Sequence, residues 1–400
     1  MPKAMIDIDA YPRQRLLTGY GLCLPLAIVF YLVGSAGHDD SHITFWQAWS
    51  LNHHGALLNY NGERIEQSSS LLHVLLTALM AQLSGMPEAF CSYVISLLSG
   101  IGTLLLCYRI AIQQQFTAPW LPALLTGCSI YFSYWACSGM ESTLAALCAL
   151  LFIDQSSKLI VQPTSLGHIL SALLSSALLA AVRPEMPLIG VAWLLILATL
   201  YPVARHTLLT LLLPFALLAL WRYHYFAQWF PNPVYAKSRG MALGALLEQW
   251  QSGWQYLLRL GRHPALLCLS LLFGGSCLLS VKSSITALRQ QQHSTLFPWL
   301  LWVGLYAGFV IASGGDWMKE GRFWVPLIAP AALVASHVIL SFGNNIRWPL
   351  ILISVLLQLF YANAFLAKFN GGMHWQQQAQ WQLVFPYSSF FERSNREHVR

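Results

Sequence analysis

The stretch Ser68–Met86, "SSSLLHVLLTALMAQLSGM", decides the fold. Counted as a membrane crossing, it inverts the side of every segment after it; left in the interface, it does not. Around it the chain is a series of uncharged or nearly uncharged runs, at about 16–36, 89–108, 118–138, 140–157, 167–182, 186–203, 206–221, 264–281, 296–313, 323–342 and 348–366. A helix needs roughly 20 apolar residues to cross hydrocarbon, fewer where the bilayer is thin. The chain is 56% hydrophobic and 9% charged, with mean hydropathy +0.54, whereas soluble domains carry about 25% charged residues. This is an integral membrane protein, and the first run, 16–36, is long enough to be a retained helix rather than a cleaved signal.

Positive charge arbitrates the crossing count, because short cytoplasmic loops are enriched in Lys and Arg. With 68–86 in the interface, the loops at Arg109, Lys158, Arg205, Lys282, Arg289 and Arg347 share a side with Lys3, Arg13 and Arg15. That side then holds 9 basic and 3 acidic residues, against 13 and 12 on the other. The expectation is an all-α polytopic protein with about 11 transmembrane helices over 1–366. It has interfacial helices in a first external loop at 37–88, a cytoplasmic N-terminus and a short external tail at 367–400. Under this count "HDD" (38–40), "SGMES" (138–142), "RPEMP" (183–187), "PNPVYAK" (231–237) and "GGDWMKEGRFWVP" (314–326) emerge on one face. Twelve crossings would strand Asp39 and Asp40 opposite the rest.

Carboxylates at the mouth of a membrane helix raise a functional question, because ionised groups near hydrocarbon are costly. "DDSHITFWQAWSLNHHG" (39–55) reads as a helix with Asp40 or Ser41 at the N-cap and Gly55 as terminator. Adjacent residues face different ways, so one aspartate caps while the other projects. Asn61-Gly62 marks a turn followed by Glu63, Arg64 and Glu66, which a solvated loop explains as well as a site does. Glu141 sits at a helix N-terminus, where a carboxylate also favours the dipole. Arg183 and Glu185 flank a break held by Pro184 and Pro187. Asn232, Tyr235 and Lys237 stand on a segment stiffened by two prolines; an aromatic beside cations suits a sugar and a phosphate. Asp316, Trp317, Lys319, Glu320 and Arg322 crowd one connector, where Gly314 and Gly315 permit close backbone approach.

There is no Walker A sequence, no G-x-G-x-x-G opening a helix, and no basic patch suited to nucleic acid. The eight cysteines fall in apolar runs without ligand spacing and read as small hydrophobes. An external face rich in acids and cations, without a nucleotide site, suits transfer from a substrate already in the bilayer, a polyprenyl-phosphate sugar. Arg and Lys suit the leaving phosphate, and a carboxylate suits the incoming hydroxyl.

The five segments, taken in order, resemble the GT-C class of lipid-linked glycosyltransferases, most of all the terminal arabinofuranosyltransferases of the mycolate cell wall and their bacterial relatives. The resemblance runs from about residue 38 to 330. It implies a GT-C fold and an active site on the external, periplasmic side of a bacterial inner membrane. It also implies a donor that is a polyprenyl-phosphate-linked sugar, arabinofuranose first among them, and an acceptor that is an envelope glycan or exported protein. Asp39 or Asp40 takes the family's general-base position. Glu141, Arg183, Glu185, Asn232, Tyr235, Lys237, Asp316, Trp317 and Arg322 match other motif positions, with Lys237 and Arg322 expected on the donor phosphate and Trp317 or Tyr235 on the sugar. No cofactor is firmly implied. Some GT-C members use a divalent cation, which Asp39, Asp40 and Glu141 would hold here. Two departures stand out: relatives follow the loop glutamate with an aromatic and a proline, where this chain has "EQSSSLLH" (66–73), and only a short tail follows Ala367. The alternative is a transporter or flippase of a lipid-linked glycan. Such proteins gather polar groups at the midplane on repeated halves, whereas here they gather at one interface with no internal repeat.

Overall fold

The computed structural model describes residues 21–33, 38–237, 243–289, 295–316, 318 and 321–370. Among them there is no strand. α1 (Leu24–Val33) is the first described helix, and the segment expected as the first external loop forms two helices, α2 (Asp39–His54) and α3 (Leu71–Ser84). Gly55, at φ 66°, ends α2 as its sequence predicts. The expected N-cap is corrected. His38 holds that position without a side-chain cap bond, and both aspartates lie inside the first turn. Asp40 is drawn to an arginine instead, and Ser41 Oγ donates to the His38 carbonyl.

α4 (Glu88–Gln113) follows. The run 118–138, expected as one helix, is two: α5 (Leu121–Gly127) and α6 (Ile130–Ala136). The break falls at Ser129, whose backbone is extended, and Ser133 Oγ donates to the Gly127 carbonyl at 2.6 Å. A broken helix within a membrane protein needs such a substitute partner for the carbonyl it frees. Next come α7 (Ser142–Val161), α8 (Leu166–Val182), α9 (Glu185–Leu200), α10 (Arg205–Thr210) and α11 (Leu213–Phe226). The short helices α12 (Asn232–Lys237) and α13 (Leu243–Leu258) precede α14 (Pro264–Arg289), α15 (Phe297–Ala312), α16 (Val325–Ser341) and α17 (Asn344–Asn370), the last running four residues past the expected end of the membrane domain.

Among the described residues, six helical stretches are long and apolar enough to cross a bilayer: Glu88–Gln113, Ser142–Val161, Pro202–Phe226, Pro264–Thr286, Arg322–Ser341 and Asn344–Phe365. α3, α8, α9 and α15 are shorter apolar helices. α4, α7 and α16 are mostly buried and form the centre, while α11, α14 and α17 face outward. Small residues let the central helices approach, as expected where lipid removes the usual hydrophobic drive. A Cβ on Gly100 of α4 would stand 2.9 Å from that of Ala136. Trp135, Trp193, Trp299, Trp302 and Phe132 are fully buried, and Trp193 Nε1 donates to the Pro298 carbonyl at 3.0 Å. The described cysteines are unpaired thiols.

Candidate active site

At one end of the bundle, loops from four parts of the chain bring two arginines between four carboxylates. The 137–141 turn presents the first acid. Gly139 there adopts φ 69°, and a Cβ on it would stand 2.8 Å from the Tyr93 ring. Two serines one helical turn apart on α4 pin this turn. Ser92 Oγ donates to the Gly139 carbonyl at 2.8 Å, and Ser96 Oγ lies 3.0 and 3.1 Å from the Trp135 and Met140 carbonyls. Glu141 follows at the N-terminal end of α7. Its side chain makes no capping bond and points to Arg183 instead.

Arg183 precedes Pro184, and a residue before proline is driven out of the helical region; its backbone is extended, between α8 and α9. From there its guanidinium meets Glu141 Oε1 at 2.5 Å through Nη1 and Glu185 Oε1 through Nε. Tyr306 of α15 donates to the same Glu185 oxygen at 3.5 Å. Ser69 Oγ donates to Glu141 at 3.4 Å. Burial works to raise the Glu141 carboxyl, but the charges of Arg183 and Arg322 hold it below its ordinary value of 4.5.

The second arginine stands just after Gly321, which has φ 68° and lies so close to Tyr131 that a Cβ would be 2.9 Å from its ring. Arg322 forks onto Asp316, Nε to Oδ2 at 2.9 Å and Nη2 to Oδ1 at 3.1 Å. Its Nη1 reaches Asp40 Oδ2 at 3.5 Å. Phe323 lies between the two guanidiniums, its ring centroid 5.3 Å from Arg183 and 5.7 Å from Arg322. The two clusters are therefore one network. Within it Glu141, Glu185, Asp316 and both arginines are buried, whereas the Asp40 side chain is 29% exposed.

Asp40, Glu141, Arg183, Glu185, Asp316 and Arg322 are thus brought together. Arg322, expected to be open to a phosphate, is committed in this structure to Asp316 and Asp40. Asn232 and Tyr235 are exposed on α12, and the Asn232 N–H donates to the Glu66 carbonyl at 2.9 Å. Trp317, Lys319, Glu320 and the side chains of Asp39 and Lys237 lie outside the described residues. Among the described residues no group of three His, Cys, Asp or Glu is placed to hold a metal ion.

Sequence reading misses several partners. Glu66, which a solvated loop explains as well as a site does from sequence, is buried and accepts from Arg222 Nε and Nη2 at 3.0 and 3.1 Å. Burial outweighs that pairing and pushes its carboxyl up. A lone arginine at the end of the apolar run 206–221 was the available signal. His73 is buried near Glu141, with Nε2 3.2 Å from Ser92 Oγ. Because that serine spends its proton on Gly139, the imidazole must donate from Nε2. Gln47 ties α2 to the same loop, donating to the Ile65 carbonyl at 2.8 Å and accepting from the Ser68 N–H at 3.1 Å.

No protein-family model matches the chain, and no curated protein matches it in sequence. Solved structures do resemble it. ArnT from Cupriavidus metallidurans bound to undecaprenyl phosphate is 14% identical, with 84% of this chain and 62% of that one aligned at a TM-score of 0.53. The apo state of ArnT gives 15% identity, the same coverage and 0.50. The cryo-EM structure of the arabinosyltransferase EmbB from Mycobacterium smegmatis gives 15% identity over 82% of this chain and 30% of that one, with a TM-score of 0.50. The chain spans about three-fifths of the length of ArnT. At these identities the likeness is one of fold: the chain is a multi-pass membrane protein with the GT-C fold of these structures.

Proposed function

We propose that the protein is an inverting glycosyltransferase that moves one sugar from a polyprenyl-phosphate donor to an envelope glycan or exported protein at the external face of a bacterial inner membrane. The observation that carries this is the partly exposed Asp40 standing against Arg322 at the open edge of an otherwise buried acid–arginine network. In the proposed step Asp40 takes the proton of the acceptor hydroxyl. The acceptor oxygen bonds to the anomeric carbon as the bond from that carbon to the phosphate oxygen breaks, and polyprenyl phosphate leaves with the electron pair. A guanidinium suits the charge that collects on the leaving phosphate. Arg322 is the described residue able to supply it, and Lys237 is its expected companion. Glu141 and Glu185 hold Arg183, and Asp316 holds Arg322, so that neither cation relaxes toward solvent. The ArnT structure holds undecaprenyl phosphate, which supports a lipid phosphate as the carrier. EmbB is an arabinosyltransferase, so arabinose is the first sugar to test.

The test is release of polyprenyl phosphate from a polyprenyl-phosphate sugar by purified protein in lipid nanodiscs. Asp40→Asn should lower transfer by about a hundredfold to ten-thousandfold, the usual worth of a general base, without weakening donor binding. Near-normal transfer by both Asp40→Asn and Asp39→Asn would end the mechanism.

A further inference from the structure

Beside the network lies a tyrosine that none of the motifs contains. Tyr256 sits on α13, whose inner face packs against the α15–α16 connection through glycines. A Cβ on Gly253 would stand 1.9 Å from the Ile311 carbonyl oxygen, and one on Gly315, at φ 76°, would stand 2.5 Å from Tyr256 itself. This packing buries the tyrosine to 4% exposure and stacks its ring on Trp324, centroids 5.4 Å apart, two residues beyond Arg322. Its hydroxyl is buried and finds no hydrogen-bond partner among the described residues. The neighbouring Phe323 backbone offers the phenol oxygen an N–H, which can only donate, so among the described residues the hydroxyl proton has no acceptor. A buried, unused donor costs roughly 1–3 kcal/mol and asks for a reason.

The charges around Tyr256 indicate the class of that missing acceptor. Arg322 and Asp316 lie within electrostatic reach on the inner side. On the outer side the exposed Arg259 guanidinium stands 5.8 Å from the ring centroid. The opposite stripe of α13, Leu247, Trp250, Trp254 and Leu258, is exposed, a pattern suited to lying in a membrane interface. A hydroxyl donor between a surface arginine and an interior arginine, on a helix that faces lipid, fits an anion arriving from the bilayer surface.

We propose that Tyr256 is a further donor-binding residue, its hydroxyl donating to the phosphate of the polyprenyl-phosphate substrate, with Arg259 at the point of entry and Arg322 at the destination. This rests on the polyprenyl-phosphate reading above. The long contact of Arg322 Nη1 with Asp40, at 3.5 Å, is the one that a phosphate on Arg322 displaces. Burial, with the Asp316 carboxylate adding to it, pushes the Tyr256 phenol above its ordinary value, so the hydroxyl remains a donor wherever the phosphate is ionised.

Undecaprenyl phosphate and its alcohol, undecaprenol, are the probes, with the full chain in nanodiscs and binding read by thermal shift and titration. Wild type should bind the phosphate more tightly than the alcohol. Tyr256→Phe should keep or slightly raise the unliganded Tm, because an unmatched hydroxyl is removed, and should bind the phosphate about tenfold to a hundredfold more weakly, the worth of one hydrogen bond to a charged group. Arg259→Gln, on an exposed residue, should leave the unliganded Tm unchanged and weaken phosphate binding most at low salt. Wild-type affinity in Tyr256→Phe would overturn the role of Tyr256 and leave the lipid-phosphate reading standing. Equal affinity of wild type for phosphate and alcohol would overturn both, as would inorganic phosphate displacing the lipid at equal concentration.

Discussion

Glu141 and Asp40 illustrate why individual roles are harder to read than motifs. Both sit at helix N-termini, where a carboxylate commonly serves the helix itself; here both serve arginines from distant parts of the chain. The motif letters identified the acids, but not which arginine each would meet, because those pairs cross 42 and 282 residues of sequence. Arg222 and Tyr256 were less legible still: one closes an apolar run, the other is one of 16 tyrosines. The Glu141 pairing has a pH signature. Its folded value is depressed below 4.5 by Arg183 and Arg322 against the pull of burial. Its contribution to stability is therefore fully present above the unfolded value near 4.5 and is lost as pH falls through the lower folded value. Wild type and Glu141→Gln should differ most in Tm at neutral pH and converge as pH drops below 4.5. A gap that stays constant from pH 7 to pH 3 would mean that the carboxylate is not held by those arginines.

Among the elements, α2 was legible from its pattern and from Gly55, while the break in 118–138 was not. Gly127, Cys128 and Ser129 are unremarkable in an apolar run, and the substitute hydrogen bond from Ser133 appears only once the chain is folded. α13 shows the same limit from the other side: no motif marks it in the sequence, and the reason it sits against α15 is the bare backbone at Gly253. Gly253→Ala tests that contact. The added methyl would meet backbone at Ile311, which cannot swing aside as a side chain can, so the helix must shift. Overpacking of this kind costs about 1–3 kcal/mol. The expected outcome is a lower Tm together with loss of donor binding, although residue 253 itself carries no functional group. Gly244→Ala, where a Cβ meets open space, is the control and should bind as wild type. Equal binding by both variants would separate the position of α13 from the function of the site.

At the scale of the whole molecule the question is again the stretch 68–86. α3 has 14 residues, so it is about 21 Å long against roughly 30 Å of hydrocarbon. Its two ends also return to one place. His73, near its start, meets Ser92, and Ser84, at its end, approaches Cys91 at 3.8 Å, and both partners lie in the first turns of α4. A helix crossing the membrane beside α4 would meet it at opposite ends; one lying across the end of α4 meets it twice in the same turn. Ser69, just before α3, reaches Glu141, which keeps that loop on the side of the acid–arginine network. If α3 does not cross, the parity of every later segment follows: the loops at Arg109, Lys158, Arg205 and Arg347 lie on the side that their excess of basic residues predicts to be cytoplasmic, and α17 ends on the face that holds Asp40 and Arg322. A phosphatase that works only outside the cytoplasm, fused after Arg400, should therefore be active. A fluorescent protein that matures only in the cytoplasm should be dark there and bright when fused after Lys158. The reverse pair would put α3 across the bilayer and separate the first loop from the arginines it is proposed to serve.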